Sequence, residues 1–331
     1  MYKNFMVGIV ILNYNNCSDI FKCIDSVVEH TPLQEVKFVV VDNGSTGSIK
    51  ERVGDYLSHK FNMSYEEMKQ SSMPCTNKSL KTMTYLCLDN NLGYANGNNE
   101  GIKILLNDSS IGKIMILNSD IIFVENIIPP LSNLLSNTPL VGAVSPLLRK
   151  PNGDIEHCCA RKALKYEDHL LTFSYLFAAK YRSAQKKRRI LENNTSLLNK
   201  DIVDIELPSG SCMMFNAETL RIIGGFDPNT FLYYEEDILY KKLKAKGYRN
   251  LLVPSLSCIH IGGATTNNTK SAYFLKYCNF YSLLYYLKQY ENVPDFKLAL
   301  FRMSAYIRLF RLWLGFAYKK IKSTILDRCA V

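Results

Sequence analysis

The stretch Ile114-Met115-Ile116-Leu117-Asn118-Ser119-Asp120 constrains the chain more than any other: an unbroken apolar run that turns polar and stops at an acid. Apolar character without alternation is the pattern of a strand covered on both faces, as in a parallel sheet flanked by helices. Open sheets of that kind bind ligands in the crevice beyond the carboxyl ends of their strands, so Asp120 is a candidate ligand group. The competing expectation is that Asp120 only forms the turn that closes the strand.

Earlier segments repeat the pattern. Val7 to Leu12 is a central-strand run followed by Asn13-Tyr14-Asn15-Asn16. Ile20, Cys23, Ile24, Val27 and Val28 then recur at helical spacing, with Ser18 the expected N-cap and Pro32 beyond the end. Val36 to Val41 is a second strand ending at Asp42-Asn43-Gly44-Ser45. Two strands thus deliver polar side chains to one edge, which suits a nucleotide, although an ordinary turn also explains Asp42 to Gly44. Residues 54 to 81 are polar and irregular and are expected to hold a helix end and a loop, with Met83 to Leu88 the third strand. In the segment from Asn91 to Gly101, glycines permit close backbone approach and the following helix is expected to offer free N–H groups to an anion. Its glycines, at 93, 97 and 101, lack GxGxxG spacing, and no Walker A sequence occurs, which disfavours a dehydrogenase and a P-loop ATPase.

At 331 residues and 47% hydrophobic, the chain can bury one large α/β domain with an appendage, or two domains. A formal charge of +10 points to anionic partners, either nucleotide phosphates or an acidic lipid surface. No helix-turn-helix, zinc-finger or RNA-binding signature is present, so no nucleic-acid partner is expected. The ten cysteines include no CxxC pair, which argues against a cysteine zinc site. The opening Met1-Tyr2-Lys3-Asn4-Phe5 runs into a strand without a signal-peptide layout, so a reduced cytoplasmic compartment is expected.

Taken in order, Asn13-Tyr14-Asn15, Val41-Asp42-Asn43-Gly44-Ser45, Asn91-Leu92-Gly93-Tyr94 through Asn99 and Gly101, and Leu117-Asn118-Ser119-Asp120 resemble the family 2 glycosyltransferases. The likeness is to the bacterial rhamnosyltransferase-like branch that builds surface polysaccharides, and it covers roughly residues 5 to 290. It implies an α/β GT-A fold, a Rossmann-like, mostly parallel sheet flanked by helices. It also implies a nucleotide-sugar donor (UDP- or dTDP-linked, with rhamnose one option), Mg²⁺ or Mn²⁺, and inversion at the anomeric carbon. On this resemblance Tyr14 and Asp42 hold the base, and Asn91 and Gly93 lie near the ribose and diphosphate. Asn13, Asn15, Asn43, Ser45, Asn99, Asn118 and Ser119 complete the donor side. Asn118 stands where a DxD pattern has its first acid, which leaves Asp120 as the main metal ligand, with the donor diphosphate supplying the rest. His260, in Ser257-Cys258-Ile259-His260-Ile261-Gly262-Gly263, matches a family histidine near metal and diphosphate; by itself a lone His is more often structural or on the surface.

In the second half, Leu207 to Phe215 corresponds to the family's glycine-bearing strand that floors the acceptor site, here Ser209, Gly210 and Ser211. Phe231-Leu232-Tyr233-Tyr234-Glu235-Glu236-Asp237 leads into a helix. Acids in a first helical turn are stabilised by the dipole alone, but Tyr233 and Tyr234 can form a sugar platform beside a carboxylate base. The resemblance makes Glu236 the base. Because relatives read acid-acid-apolar-Asp-Leu where this chain has Glu235-Glu236-Asp237-Ile238-Leu239, Glu235 and Asp237 remain candidates. Residues 146 to 202 form a basic insertion including Lys186, Lys187, Arg188 and Arg189, a solvated helix face or a contact for phosphate or lipid headgroups.

Beyond about residue 266 the chain turns tyrosine-rich, then apolar from Leu298 to Tyr318 with Arg302, Arg308 and Arg311 interspersed. The arginines argue against a spanning helix and for one lying in an anionic membrane surface. Packing on the domain or on a second subunit, as a homodimer, is the alternative. The expected organisation is a transferase domain over 1–265, divided near 125 into donor and acceptor halves, and a basic helical extension over 266–331. No QxxRW sequence occurs, so one sugar per lipid-linked or oligosaccharide acceptor is expected, at the inner face of the cytoplasmic membrane in O-antigen or capsule synthesis. Two other classes compete. A sugar-phosphate nucleotidyltransferase would carry a Gly-rich Arg-Lys loop after the first strand, and a degenerate glycan-binding module would not need Asp120 with Glu235 to Asp237.

Overall fold

A computed structural model describes residues 6–72, 79–171, 178–262 and 272–329. The first half alternates strand and helix: β1 (Met6–Asn13), α1 (Ser18–His30), β2 (Val36–Asp42), α2 (Gly47–Phe61), β3 (Tyr65–Lys69), β4 (Met83–Cys87), α3 (Gly93–Leu106), β5 (Ile111–Asn118), β6 (Ile121–Phe123), α4 (Ile128–Asn137) and β7 (Val141–Arg149). Next come β8 (Ala160–Arg161), α5 (Tyr166–Leu170), α6 (Ala178–Lys187), α7 (Ile190–Asn193), β9 (Val203–Ile205), β10 (Leu207–Pro208), β11 (Cys212–Asn216), α8 (Ala217–Ile223), α9 (Glu235–Ala245) and β12 (Arg249–His260). Two long helices follow, α10 (Ala272–Gln289) and α11 (Asp295–Cys329).

A ten-stranded sheet runs β3-β4-β2-β1-β5-β11-β7-β12-β6, with β9 joined to β12. The pairs from β3 to β5 are all parallel, β11 is antiparallel to β5 and β7, and β7 with β12 is parallel again. The unbroken apolar runs follow from cover on both faces. Ile9 and Ile11 join one core with Ile20, Ile24 and Val27 of α1, while Val10 between them joins a second core with Ile102 and Leu105 of α3. Side chains alternate across a strand, so only an all-apolar strand can feed two cores.

Three local expectations need correction. Helix α1 is not capped by Ser18, which is its first residue and exposed; the Asp19 N–H donates instead to Asn16 Oδ1 at 3.1 Å. The stretch read as a loop contains β3, paired with β4. Its sequence Tyr-Glu-Glu-Met-Lys lacks apolar alternation because it is an edge strand with only Met68 buried. Ser209 to Ser211 is a turn between β10 and β11, not strand.

The terminal helices have two apolar faces. Leu298, Phe301, Ala305 and Leu309 of α11 pack with Phe280, Leu283 and Leu287 of α10, in a cluster that includes Tyr234 and Ile238 beside the acids. On the opposite side Phe296, Leu300, Met303, Ile307, Phe310 and Leu314 are exposed, at alternating spacings of four and three residues. Nothing is described of the Leu312 side chain or of side chains from 315 onward.

Candidate active site

Strand register sets the donor edge. Asn13 at the end of β1 pairs with Asp42 at the end of β2, and Leu12 pairs with Asn118 at the end of β5. Side chains lace the loops beyond. Ser45 N–H donates to Asp42 Oδ1 at 2.9 Å, Tyr85 OH to Asp42 Oδ2 at 3.3 Å, and Asn15 N–H to Ser45 Oγ at 2.9 Å. Asn43 ties this loop to the next one, its Oδ1 accepting from Leu92 N–H at 2.9 Å and its Nδ2 donating to Asn91 Oδ1 at 3.2 Å. Asp42 is therefore both turn-former and part of the edge. Tyr14 is half-buried in the same loop. Both polar side-chain atoms of Asn13 are buried and lack a hydrogen-bond partner among the described residues.

The start of α3 differs from expectation. Gly93 N–H donates to Asn91 Oδ1 at 2.9 Å and Tyr94 N–H to the Phe231 carbonyl at 2.9 Å, so the first two amides of the helix are already occupied. Gly93 is required there: its φ is +82° and a Cβ would lie 2.3 Å from Phe231 O. Asn99 serves as a tie between elements, both ends of its amide bonding the Phe226 backbone at 2.9 Å, which keeps it off the donor edge.

Beyond β5, Asp120 meets His260 at the end of β12. Asp120 Oδ2 lies 3.4 Å from His260 Nε2, and the Asp120 carbonyl accepts from Ile261 N–H at 3.0 Å. Glu156, which carries no sequence signal, sits 2.5 Å from His260 Nδ1. Burial alone would lower the His260 pKa, but hydrogen bonds to Asp120 and Glu156 outweigh it and push it up to about 10. Ser119 is buried between Asn118 and Asp120, and Asn118 Nδ2 donates to Ser211 Oγ at 3.3 Å.

The acids lie across a cavity of about 310 Å³, whose walls include Asn118, Tyr94, Gly210, Ser211, Tyr233, Tyr234 and Glu235 to Asp237. Tyr233 and Tyr234 both have left-handed backbones, φ +75° and +69°. Non-glycine residues held so cost about 1–3 kcal/mol each and cluster where surroundings impose a geometry for function. Tyr234 OH is 3.3 Å from His169 Nδ1, and its ring stacks on Tyr286. The Tyr94 hydroxyl donates to the Gly210 carbonyl at 2.6 Å and holds the Ser209–Ser211 turn in the wall.

Each acid has a different environment. Glu236 accepts from Gly210 N–H at 2.5 Å and from Arg161 Nη2. Asp237 is buried and accepts from Arg188 Nη2 at 3.2 Å. Arg188, expected on a solvated helix face, is only 7% exposed because it reaches back to this pair, whereas Lys186 and Lys187 do face solvent. Arg161 and Arg188 escaped the sequence reading because they lie 75 and 49 residues from their partners. The β8–β10 pairing, Arg161 opposite Leu207, delivers the first of them.

Glu235 is buried, its Oε1 lacks a hydrogen-bond partner among the described residues, and burial pushes its pKa up to about 8, reinforced by the neighbouring Glu236 charge. A pKa raised in the folded state stabilises it fully below the unfolded carboxylate value and ceases to do so as pH rises through about 8. Unfolding free energy is therefore expected to fall between about pH 5 and 9, with a shallower slope in Glu235→Gln. Identical slopes in denaturant titrations of the two proteins would place the titration elsewhere.

Residues 8–158 match the profile of glycosyl transferase family 2. Over 150 residues, 44% of the chain, it is 24% identical to the N-acetylglucosaminyl-diphospho-decaprenol L-rhamnosyltransferase of Mycobacterium tuberculosis, in strains CDC 1551 / Oshkosh and H37Rv alike. The alignment spans about half of those relatives, 46% of their length. Among solved structures, GalNAc-T7 with UDP, GalNAc and Mn²⁺ superposes with a TM-score of 0.56 at 15% identity, covering 96% of this chain and 57% of that one. The mannosyltransferase PcManGT from Pyrobaculum calidifontis, in complex with GDP-Man and Mn²⁺, gives 0.53 at 15%, covering 91% and 69%. At that identity the structural likeness establishes the GT-A fold alone. Residues 8–158 thus form a glycosyl transferase family 2 domain, and the chain is built on a GT-A fold.

Proposed function

We propose that the protein is an inverting, metal-dependent glycosyltransferase that moves one sugar from a UDP- or dTDP-sugar to a lipid-linked surface glycan of the O-antigen or capsule type. The observation that carries this reading is the convergence on one crevice of the Asp120–His260 pair, two residues beyond Asn118, and a cavity holding both Asn118 and the Glu235–Asp237 acids. The rhamnosyltransferase relatives, named for a diphospho-decaprenol acceptor, support a lipid diphosphate acceptor and make rhamnose a donor sugar to test first.

The residues fit a divalent cation. Asp120 and His260 converge, and Glu156 on Nδ1 leaves Nε2 as the nitrogen facing Asp120, the arrangement in which an outer carboxylate orients a ligating imidazole. Among the described residues no three such groups are arranged to hold a metal ion together, so a cation here would take few protein ligands and would draw the rest from donor phosphates. Bound there, a cation supplies positive charge against the leaving diphosphate. Asn13 and Asp42 hold the base with Tyr14 beside them. Glu236 takes the proton of the attacking hydroxyl, with Tyr233 lining the cavity beside it. We assign residues 1–265 to transfer and 266–331 to attachment.

The outer stripe of α11 supports a peripheral membrane site, which we assign to the inner leaflet. Exposed Phe296, Leu300, Met303, Ile307, Phe310 and Leu314 share the helix with Arg302, Arg308 and Arg311, and among the described residues no helix is long and apolar enough to cross a membrane. Apolar side chains enter the headgroup boundary while each cation adds about 1 kcal/mol against anionic lipid. Because the inner face of α11 packs beside Tyr234, deleting the helix would damage the site, so the test is substitution of the outer face. Leu300→Glu, Ile307→Glu and Phe310→Glu together are expected to abolish sedimentation with phosphatidylglycerol vesicles without loss of folding. A wild-type dimer that this triple variant converts to a monomer, with no vesicle binding by either, would instead make the stripe a helix-to-helix seam.

The function itself is tested by incubating the purified protein with Mn²⁺ and a panel of nucleotide sugars. Release of UDP or dTDP from one donor, stimulated by a prenyl diphosphate glycan, is the expected result. Release of pyrophosphate from a nucleoside triphosphate and a sugar phosphate would show a nucleotidyltransferase instead.

A further inference from the structure

The two arginines that reach the acids differ in how fully they are used. Arg188 donates from Nε to the Lys162 carbonyl at 3.0 Å, from Nη1 to Gln185 at 3.5 Å and from Nη2 to Asp237 at 3.2 Å, so each of its nitrogens has a partner. Arg161 gives Nη2 to Glu236, but its Nε is buried and has no hydrogen-bond partner among the described residues. Arg161 lines the 310 Å³ cavity together with Tyr181 and Gln185 of α6. A guanidinium is a rigid fork of five donors that cannot discard its charge, and its fork geometry matches the oxygens of phosphate. A buried donor without an acceptor on a cavity wall is therefore incomplete until a ligand supplies an oxygen.

We propose that Arg161 is a phosphate-binding residue: its guanidinium takes an oxygen of a substrate phosphate in this cavity and, in doing so, releases Glu236. The inference rests on the transferase reading above, in which donor and lipid-linked acceptor both carry diphosphate. It links two events at one side chain. Arg161, Arg188, Glu236 and Asp237 form a charge-balanced set, and when Glu236 accepts a proton the set becomes cationic by one unit. A phosphate on Arg161 restores the balance at that moment. Without it, proton uptake by Glu236 would strip Arg161 of its anionic hydrogen-bond partner. Arg188, whose nitrogens are all committed, is the fixed counterpart that holds Asp237 in place.

The test uses inorganic pyrophosphate in metal-free buffer, titrated calorimetrically into the full chain. If Glu236 competes with phosphate for Arg161, Glu236→Gln should bind pyrophosphate about tenfold more tightly than wild type, the scale of one charge-assisted hydrogen bond. The double variant Arg161→Gln/Glu236→Gln should lose that gain, and because it leaves neither charge unmatched it serves even where Arg161→Gln alone fails to fold. Equal binding by wild type and Glu236→Gln, or a double variant that binds as tightly as Glu236→Gln, overturns the proposal and leaves Arg161 a strut for Glu236. Arg161→Lys then identifies the source. Weakened UDP binding assigns the phosphate to the donor, weakened binding of a short prenyl diphosphate glycan assigns it to the acceptor, and no weakening of either overturns the site. The titration involves no turnover, so its failure with sugar transfer intact removes the phosphate site alone. Absence of transfer with the titration as expected removes the transferase reading instead.

Discussion

Asp120→Asn is expected to lower sugar transfer by several orders of magnitude while leaving the protein folded. The carboxylate faces His260 Nε2 at 3.4 Å, while the other acid on this imidazole, Glu156, is engaged at Nδ1. On the metal-dependent reading, losing the cation would leave the departing diphosphate without its charge partner, a transition-state loss that would appear in kcat. His260→Ala should cost less and recover partly at high Mn²⁺. Glu156→Gln, which removes the group that orients His260, should cost about 10–100-fold in metal affinity or activity. Full activity in excess chelator would sink the assignment of Asp120 and His260 together.

Glu236→Gln is expected to lower kcat by about 10²–10⁴-fold, with donor binding nearly unchanged, because the amide cannot take the acceptor's proton. Gln retains an acceptor for Gly210 N–H and Arg161, so the local fold should hold. The neighbouring acids need different controls. Asp237→Asn leaves the buried Arg188 without its counter-charge, a loss of about 3–5 kcal/mol in stability, so its activity is meaningful only beside a melting curve. Glu235→Gln is the milder substitution, since a carboxyl pushed up to about 8 is already neutral near neutral pH. A stable, inactive Asp237→Asn beside an active Glu236→Gln would move the base by one residue.

The strand ends were the legible part of the site. Asn13, Asp42 and Asn118 each close an unbroken apolar run, and parallel register brings the three to one edge, so local pattern was enough to place them. Helix α1 was legible through the spacing of Ile20, Cys23, Ile24 and Val27, which marks its buried face. The edge strand β3 was not, because with one face and one edge in solvent its residues need no apolar pattern. Glu156, Arg161 and Arg188 were invisible for another reason. Each acts through a side chain on a distant element, His260, Glu236 and Asp237, and such pairing leaves no mark in local spacing. At the opening of α3, Gly93 N–H is taken by the nearby Asn91 side chain, and the Tyr94 amide was misjudged because its partner, the Phe231 carbonyl, comes from a segment more than a hundred residues away.

The most direct measurement is the mass of the acceptor after reaction. A short prenyl diphosphate glycan incubated with the protein, Mn²⁺ and the donor selected by nucleotide release should gain the mass of one sugar and no more, with inversion at the new anomeric centre. Asp120→Asn and Glu236→Gln should leave its mass unchanged. An acceptor that gains nothing while donor is consumed, that gains a nucleotide, or that is extended equally by both variants would contradict the account.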